Sequence, residues 1–193
     1  MSLKKHINSK IRAASYNLNK IRQIRKCLTV DSCKSVVLGL VISHIDYCNA
    51  LLLGLPCSSL LPLQSIQNQA AKLILFKKKY DSAKECLRSL HWLPIEQRIK
   101  FKVLCLVYEC INKQAPDYLS NLFSRRTSTY NIRSISSYTL HVSSTRTKRC
   151  GNRAFSVAGA RLWNGLPLEI QGRPSFPSFK SSLKPFLFRE AFG

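Results

Sequence analysis

VVLGLVISHIDYCNALLLGL, residues 36–55, decides the class of this chain, because it has the length and much of the composition of a membrane-spanning helix. His44, Asp46 and Asn49 stand in its middle. An aspartate at the bilayer centre costs about 3 kcal/mol on insertion scales, so the stretch reads as a buried helix of a water-exposed protein, and no membrane is expected as partner. Thr29 or Asp31 can cap this helix, and Gly54 with Pro56 can stop it.

On its N-terminal side, Ile7, Ile11, Ala14, Leu18, Ile21 and Ile24 recur at steps of three or four, which predicts a helix with one apolar stripe. The remaining surface of that helix collects Lys5, Lys10, Arg12, Lys20, Arg22, Arg25 and Lys26 with no acid among them, so no i to i+4 ion pair can neutralise it. On the C-terminal side a third helix is expected to begin at Ser58 or Ser59, with Pro62 tolerated in its first turn, and to run to about Phe76. Leu60, Leu63, Ile66, Ala70, Leu73 and Ile74 make its stripe, and Lys77, Lys78 and Lys79 follow it. Residues 1–80 carry 13 Lys+Arg against Asp31 and Asp46, and read as a basic three-helix unit.

Residues 81–124 are nearly neutral and read as an ordinary packed helical module. A short helix is expected over residues 82–90, and a long one opens at Pro94 as its first position, with Ile95, Ile99, Val103, Leu106 and Ile111 in its stripe. Ala115 and Pro116 start another short one. Residues 125–193 are basic again. They hold a Ser/Thr-rich run, a segment TLHVSSTRTK that alternates in part like an exposed strand, a helical NRAFSVAGARLWNGLP, and a last helix from Pro177 to Phe188 that Pro185 should kink or shorten. The expected fold is therefore mainly α: a helical bundle followed by a smaller helical module, with a short β-hairpin or extended segment near residues 138–150.

Across all 193 residues, Lys+Arg 31 against Asp+Glu 9 leaves a net charge of +22 and a pI near 10.1. With 45% hydrophobic residues the chain can bury a core, so it is no disordered basic tail. The excess asks for a polyanion, nucleic acid before any other. Eight cysteines could frame disulfides, but the charged opening lacks a secretory apolar segment. Buried free thiols in a reducing compartment, nuclear or cytoplasmic, are the expectation, and no Cys or His spacing matches a zinc site.

No catalytic motif is present: the acids are scattered, no phosphate-cradling glycine loop or nucleophile elbow occurs, and His44 beside Asp46 reads as a satisfied polar pair. Neither a catalytic residue, a metal nor a cofactor is assigned. Three basic groups are the candidate nucleic-acid contacts. They are the opening helix with Lys5, Arg12, Lys20, Arg22, Arg25 and Lys26; the run Lys77, Lys78 and Lys79; and Arg146, Lys148, Arg149 and Arg153, beside Gly151, where backbone could approach a phosphate. Any one of them alone reads as a solvated face; together, without compensating acids, they point to backbone contact. Tyr130, Tyr138 and Phe155 could stack on bases, although Phe155 and Trp163 share a helical pattern with Ala158 and Leu162 that reads as core.

Several long runs, in consistent order, resemble one family. SHIDYCNALLLGLP (43–56), LQSIQNQAAKLI (63–74), LRSLHWLPIEQRIKFKVLCLVYECIN (87–112), APDYLSNLF (115–123), RTKRCGNRAFSVAGARLWNGLPLEIQ (146–171) and SFKSSLKPFLF (178–188) resemble the C-terminal end of LINE-type, non-LTR retrotransposon reverse transcriptases of the jockey-like group. The resemblance implies that residues 1 to about 80 are a thumb that grips template and primer backbone, and that the rest is the post-thumb region. The family's paired-aspartate polymerase motif and its endonuclease are absent from this sequence, so the resemblance transfers no catalytic residue. The expected partners are an RNA, DNA or hybrid backbone and a polymerase core supplied elsewhere. The alternative is a helical interaction module, or a functionless relic, that needs that missing core.

Overall fold

The structure is a computed structural model that describes residues 3–126, 138–147 and 150–193. It is mainly helical, as the stripes predict. Two compact units divide the chain, one of Met1–Arg98 with Phe188–Gly193, the other Ile99–Leu187. The boundaries expected near residues 80 and 124 do not coincide with this division.

In the first unit, α1 (Leu3–Ile24) buries Ile7, Ala14, Leu18 and Ile21 on the expected stripe. α2 (Val30–Val37) is capped by Thr29, whose Oγ1 accepts the Ser32 N–H at 3.2 Å. The apolar stretch then departs from the single helix expected of it. It widens into a π turn over Leu38–Ile42, resumes as α3 (Ser43–Asp46), and breaks at Cys48, whose φ of 55° is left-handed. Val41, Ile42, Ile45 and Leu52 are buried, while Asn17 of α1 donates to the Leu40 carbonyl at 2.8 Å within the π turn. Among the described residues no helix is long and apolar enough to cross a membrane. Asp46 pairs with Arg98, which grips both carboxylate oxygens, and accepts from Asn49 at 3.2 Å. The expected His44–Asp46 pair gives way to this one because residues two apart on a helix point to different sides.

α4 (Cys57–Ile74) starts before the expected serines, which puts Pro62 in its second turn rather than its first. Pro62 is exposed, so water can serve the carbonyl its missing N–H would have met. The buried face of α4 includes Gln67 as well as Leu63, Ile66, Ala70, Ala71 and Ile74. Gln67 donates to the Leu93 carbonyl at 2.9 Å, and Gln64 Oε1 accepts the Ile95 N–H at 2.9 Å. These two amides hold the start of α6 (Ile95–Ile111), which opens one residue after Pro94. Between them, α5 (Ala83–Ser89) is capped by Ser82, whose Oγ accepts the Glu85 N–H at 3.3 Å.

The second unit continues α6 and adds α7 (Asp117–Ser120), α8 (Phe155–Asn164), α9 (Leu168–Gln171) and most of α10 (Phe176–Phe192). Tyr108 stacks on Phe179 at 4.5 Å, Trp163 stacks on Phe179 at 5.7 Å, and Tyr108 meets Phe176 at 5.8 Å. Polar tips of these rings are satisfied: Trp163 Nε1–H donates to the Tyr138 carbonyl and the Tyr108 hydroxyl to the Arg173 carbonyl, both at 2.9 Å. Gly159 of α8 lies where a Cβ would come within 2.9 Å of Val107 Cγ2, so only glycine allows this approach. Pro185 sits inside α10 without ending it. Of the extended segment expected near residues 138–150, the described residues show one isolated antiparallel bridge, Arg125 with Leu140.

Candidate nucleic-acid interface

Arg22 lies in the last turn of α1 and Lys72 in the last turn of α4, and the turn after α4 carries Lys77, Lys78 and Lys79. The fold brings all five cations around one groove of about 630 Å³, whose wall also presents the amides of Asn68 and Gln69. No acidic side chain is among its described lining. Lys72 Nζ donates to the Lys79 carbonyl at 2.7 Å, and the Lys78 N–H donates to Asp81 Oδ2 at 2.7 Å, so the turn is stitched through its backbone while Lys77, Lys78 and Lys79 stay exposed.

Arg25 does not stand on this surface, contrary to the expectation. It is only 4% exposed. Its Nε donates to the Leu73 carbonyl at 2.9 Å, Nη2 to Ile74 at 2.7 Å and Nη1 to Leu28 at 2.6 Å, and its guanidinium lies 3.6 Å from the Phe76 ring centroid. Two of those carbonyls are at the C-terminus of α4, where the backbone dipole favours a cation and the last carbonyls lack intrahelical donors. Arg25 therefore closes α4, and its burial keeps the two N–H groups left over out of reach of a phosphate. Its position betrays this, since it falls four residues after Ile21 and seven after Leu18, on the apolar stripe itself.

Lys5, Arg12, Lys20 and Lys26 are exposed, as expected, but none is among the groove's lining. Lys5 and Arg12 lie two turns, about 10 Å, apart on one face of α1. In the C-terminal group Arg146 is exposed and Arg153 half-buried, while Lys148 and Arg149 lie outside the described residues, as does Tyr130. Gly151 offers no phosphate approach on its Cβ side: a Cβ there would meet Thr145 Cβ at 2.7 Å, and its N–H already donates to Thr147 at 3.0 Å. The carbonyl of Tyr138 serves Trp163, and Phe155 packs edge-on against Phe123 at 5.1 Å. Charge spacing alone missed Lys72, Phe76 and Tyr80, the last two exposed on either side of the lysine run.

All eight cysteines are free; Cys33, Cys86, Cys105 and Cys110 are buried, but Cys27, Cys48, Cys57 and Cys150 are exposed, against the expectation of burial for all. Burial pushes the four buried thiols up, Cys105 to about 11, so they stay protonated at neutral pH and unreactive as nucleophiles. Among the described residues no group of three or more His, Cys, Asp or Glu side chains could hold a metal. Compared with known protein families, curated proteins and solved structures, the chain matches none.

Proposed function

We propose that the chain is a non-catalytic, C-terminal piece of a LINE-type retrotransposon reverse transcriptase, and that it holds a nucleic-acid backbone without reading bases. The observation that carries the reading is the groove in which Arg22, Lys72, Lys77, Lys78 and Lys79 converge with no acid in its described lining. Such a cluster binds phosphates by releasing their counterions, which makes affinity steeply salt-dependent and indifferent to sequence. The exposed Lys5, Arg12, Lys20 and Lys26 of the same unit extend the field that draws a polyanion in.

The test is equilibrium binding of the whole chain to an RNA/DNA hybrid, duplex DNA and single-stranded RNA across salt, with nucleotide incorporation assayed alongside. Reversing Lys77, Lys78 and Lys79 to Glu should lower the salt slope by about 0.7 to 0.9 log units for each phosphate no longer neutralised. No incorporation is expected. An unchanged slope removes the groove from the reading.

A second reading, a helical module that docks on a separate polymerase core, is favoured by one observation. Leu38, Leu40, Leu51 and Leu61 of the first unit are large apolar side chains left exposed. That reading expects concentration-dependent self-association of the isolated chain, and partner binding that survives the lysine reversals.

A further inference from the structure

Two aromatic rings flank the lysine run, and core packing explains neither. Phe76 is 62% exposed and Tyr80 is 92% exposed, one on each side of Lys77, Lys78 and Lys79. Phe76 is nonetheless held in place. Its φ of 52° is a backbone conformation that bulky residues avoid, and it is fixed by the Lys77 N–H donating to the Lys72 carbonyl at 2.9 Å. One face of its ring is covered by the buried Arg25 guanidinium, 3.6 Å from the centroid, and Arg25 is itself pinned by three carbonyls. The ring thus keeps most of its surface open while its position is locked from behind. Tyr80 has its ring 5.9 Å from Lys79 Nζ and almost all of its surface in water.

We infer that Phe76 and Tyr80 are stacking positions for the bases of an unpaired nucleic-acid strand whose phosphates meet Lys77, Lys78 and Lys79. The inference rests on the nucleic-acid reading of the groove and narrows it to single strands. A duplex keeps its bases stacked on one another and offers a protein mainly phosphates and groove edges, so open rings beside phosphate-binding lysines add nothing to duplex affinity. A single strand presents bare base faces, and every base has one, so stacking adds affinity without adding sequence preference. Arg25 is here a positioning residue, acting on the strand only through Phe76.

The experiment compares the full chain with Tyr80→Ala on uniform pyrimidine 12-mers of RNA and of DNA and on a hybrid duplex of the same length. Tyr80→Ala should weaken single-strand binding about tenfold, within the range measured for removing one stacked base. It should leave the salt slope and the hybrid affinity unchanged, and, with so exposed a ring, leave the melting curve unchanged too. A Tyr80→Trp variant gives a second readout: its emission should be quenched by single strands and not by the hybrid. A loss confined to RNA or to DNA supports the inference and names the strand. Equal loss on strands and duplex, or no loss on either, overturns it while leaving the groove reading to stand on the lysine reversals. If those reversals leave binding untouched, the groove reading fails and the stacking inference fails with it.

Discussion

The unit that contains α1 to α5 packs Ile, Leu, Val and Ala side chains and uses its buried polar groups on helix ends, whereas the unit from Ile99 to Leu187 packs aromatic rings on one another. In the first, Arg25 closes α4, Gln64 and Gln67 hold the start of α6, and Asp46 ties the end of α3 to Arg98. In the second, Tyr108, Trp163, Phe176 and Phe179 form one cluster, with Gln171 Nε2 donating to the Trp163 and Leu166 carbonyls at 2.7 and 3.0 Å. The difference bears on where binding can occur. Helix ends closed by side chains of the core leave the lysines just beyond them uncommitted, and the groove lies at such an end. Two grooves of the second unit gather fewer cations, Arg125 with Arg173 in one and Lys113 with Arg125 in the other.

The comparison breaks most visibly through a substitution on the aromatic side. Trp163 is nearly inaccessible, stacks on Phe179 and donates to the Tyr138 carbonyl. Trp163→Ala should cost about 4 kcal/mol, from the indole surface no longer buried, a cavity and an orphaned carbonyl, read by urea denaturation. A loss under about 1 kcal/mol would mean the cluster can collapse around the gap and is not what holds this unit. On the other side, Arg25→Met keeps the aliphatic stem but removes donors from three carbonyls, and should cost about 2 to 3 kcal/mol. The figure is smaller because the substitution also removes the penalty of burying a cation with no acid opposite it. If Arg25→Met is neutral, solvent serves the end of α4 equally well and the closing role is wrong.

The stripes of α1 and α4 were legible in sequence because a 3.6-residue period survives any tertiary context. So were the cap at Thr29 and the core position of Trp163. The break of the apolar stretch into a π turn and a left-handed Cys48 was not legible, since a single Gly39 inside a helical pattern does not foretell a π turn and neither glycine nor proline stands at Cys48. The roles of Gln64 and Gln67 were not legible either, because nothing local says that a helix start lies within reach of their amides. The groove is long-range by nature: Arg22 and Lys77 are far apart in sequence, and only packing of α1 on α4 could show that they share a wall. Charge counting identified the lysine run correctly as exposed, and failed at Arg25 because sign and number do not say which cation meets a row of unpaired carbonyls.

The smallest effect sharpens the comparison at a device both units share. α4, α5 and α6 all turn out through a residue at positive φ that is not glycine, Phe76, His91 and Lys113 respectively, each followed by a residue whose N–H reaches back to the helix. A side chain in that conformation costs about 1 kcal/mol or more, partly offset on substitution by the extra freedom that glycine gives the unfolded chain. Lys113 is exposed, so Lys113→Gly should stabilise the protein by about 0.5 kcal/mol. Phe76→Gly relieves the same strain but removes a ring that sits over the Arg25 guanidinium, an interaction of about 1 kcal/mol at a half-shielded site, so it should be neutral or slightly destabilising. Thermal melts of the two variants side by side isolate that interaction. If Phe76→Gly gains as much as Lys113→Gly, the guanidinium does not hold the ring, and the locked position of Phe76 beside the lysines loses its physical basis.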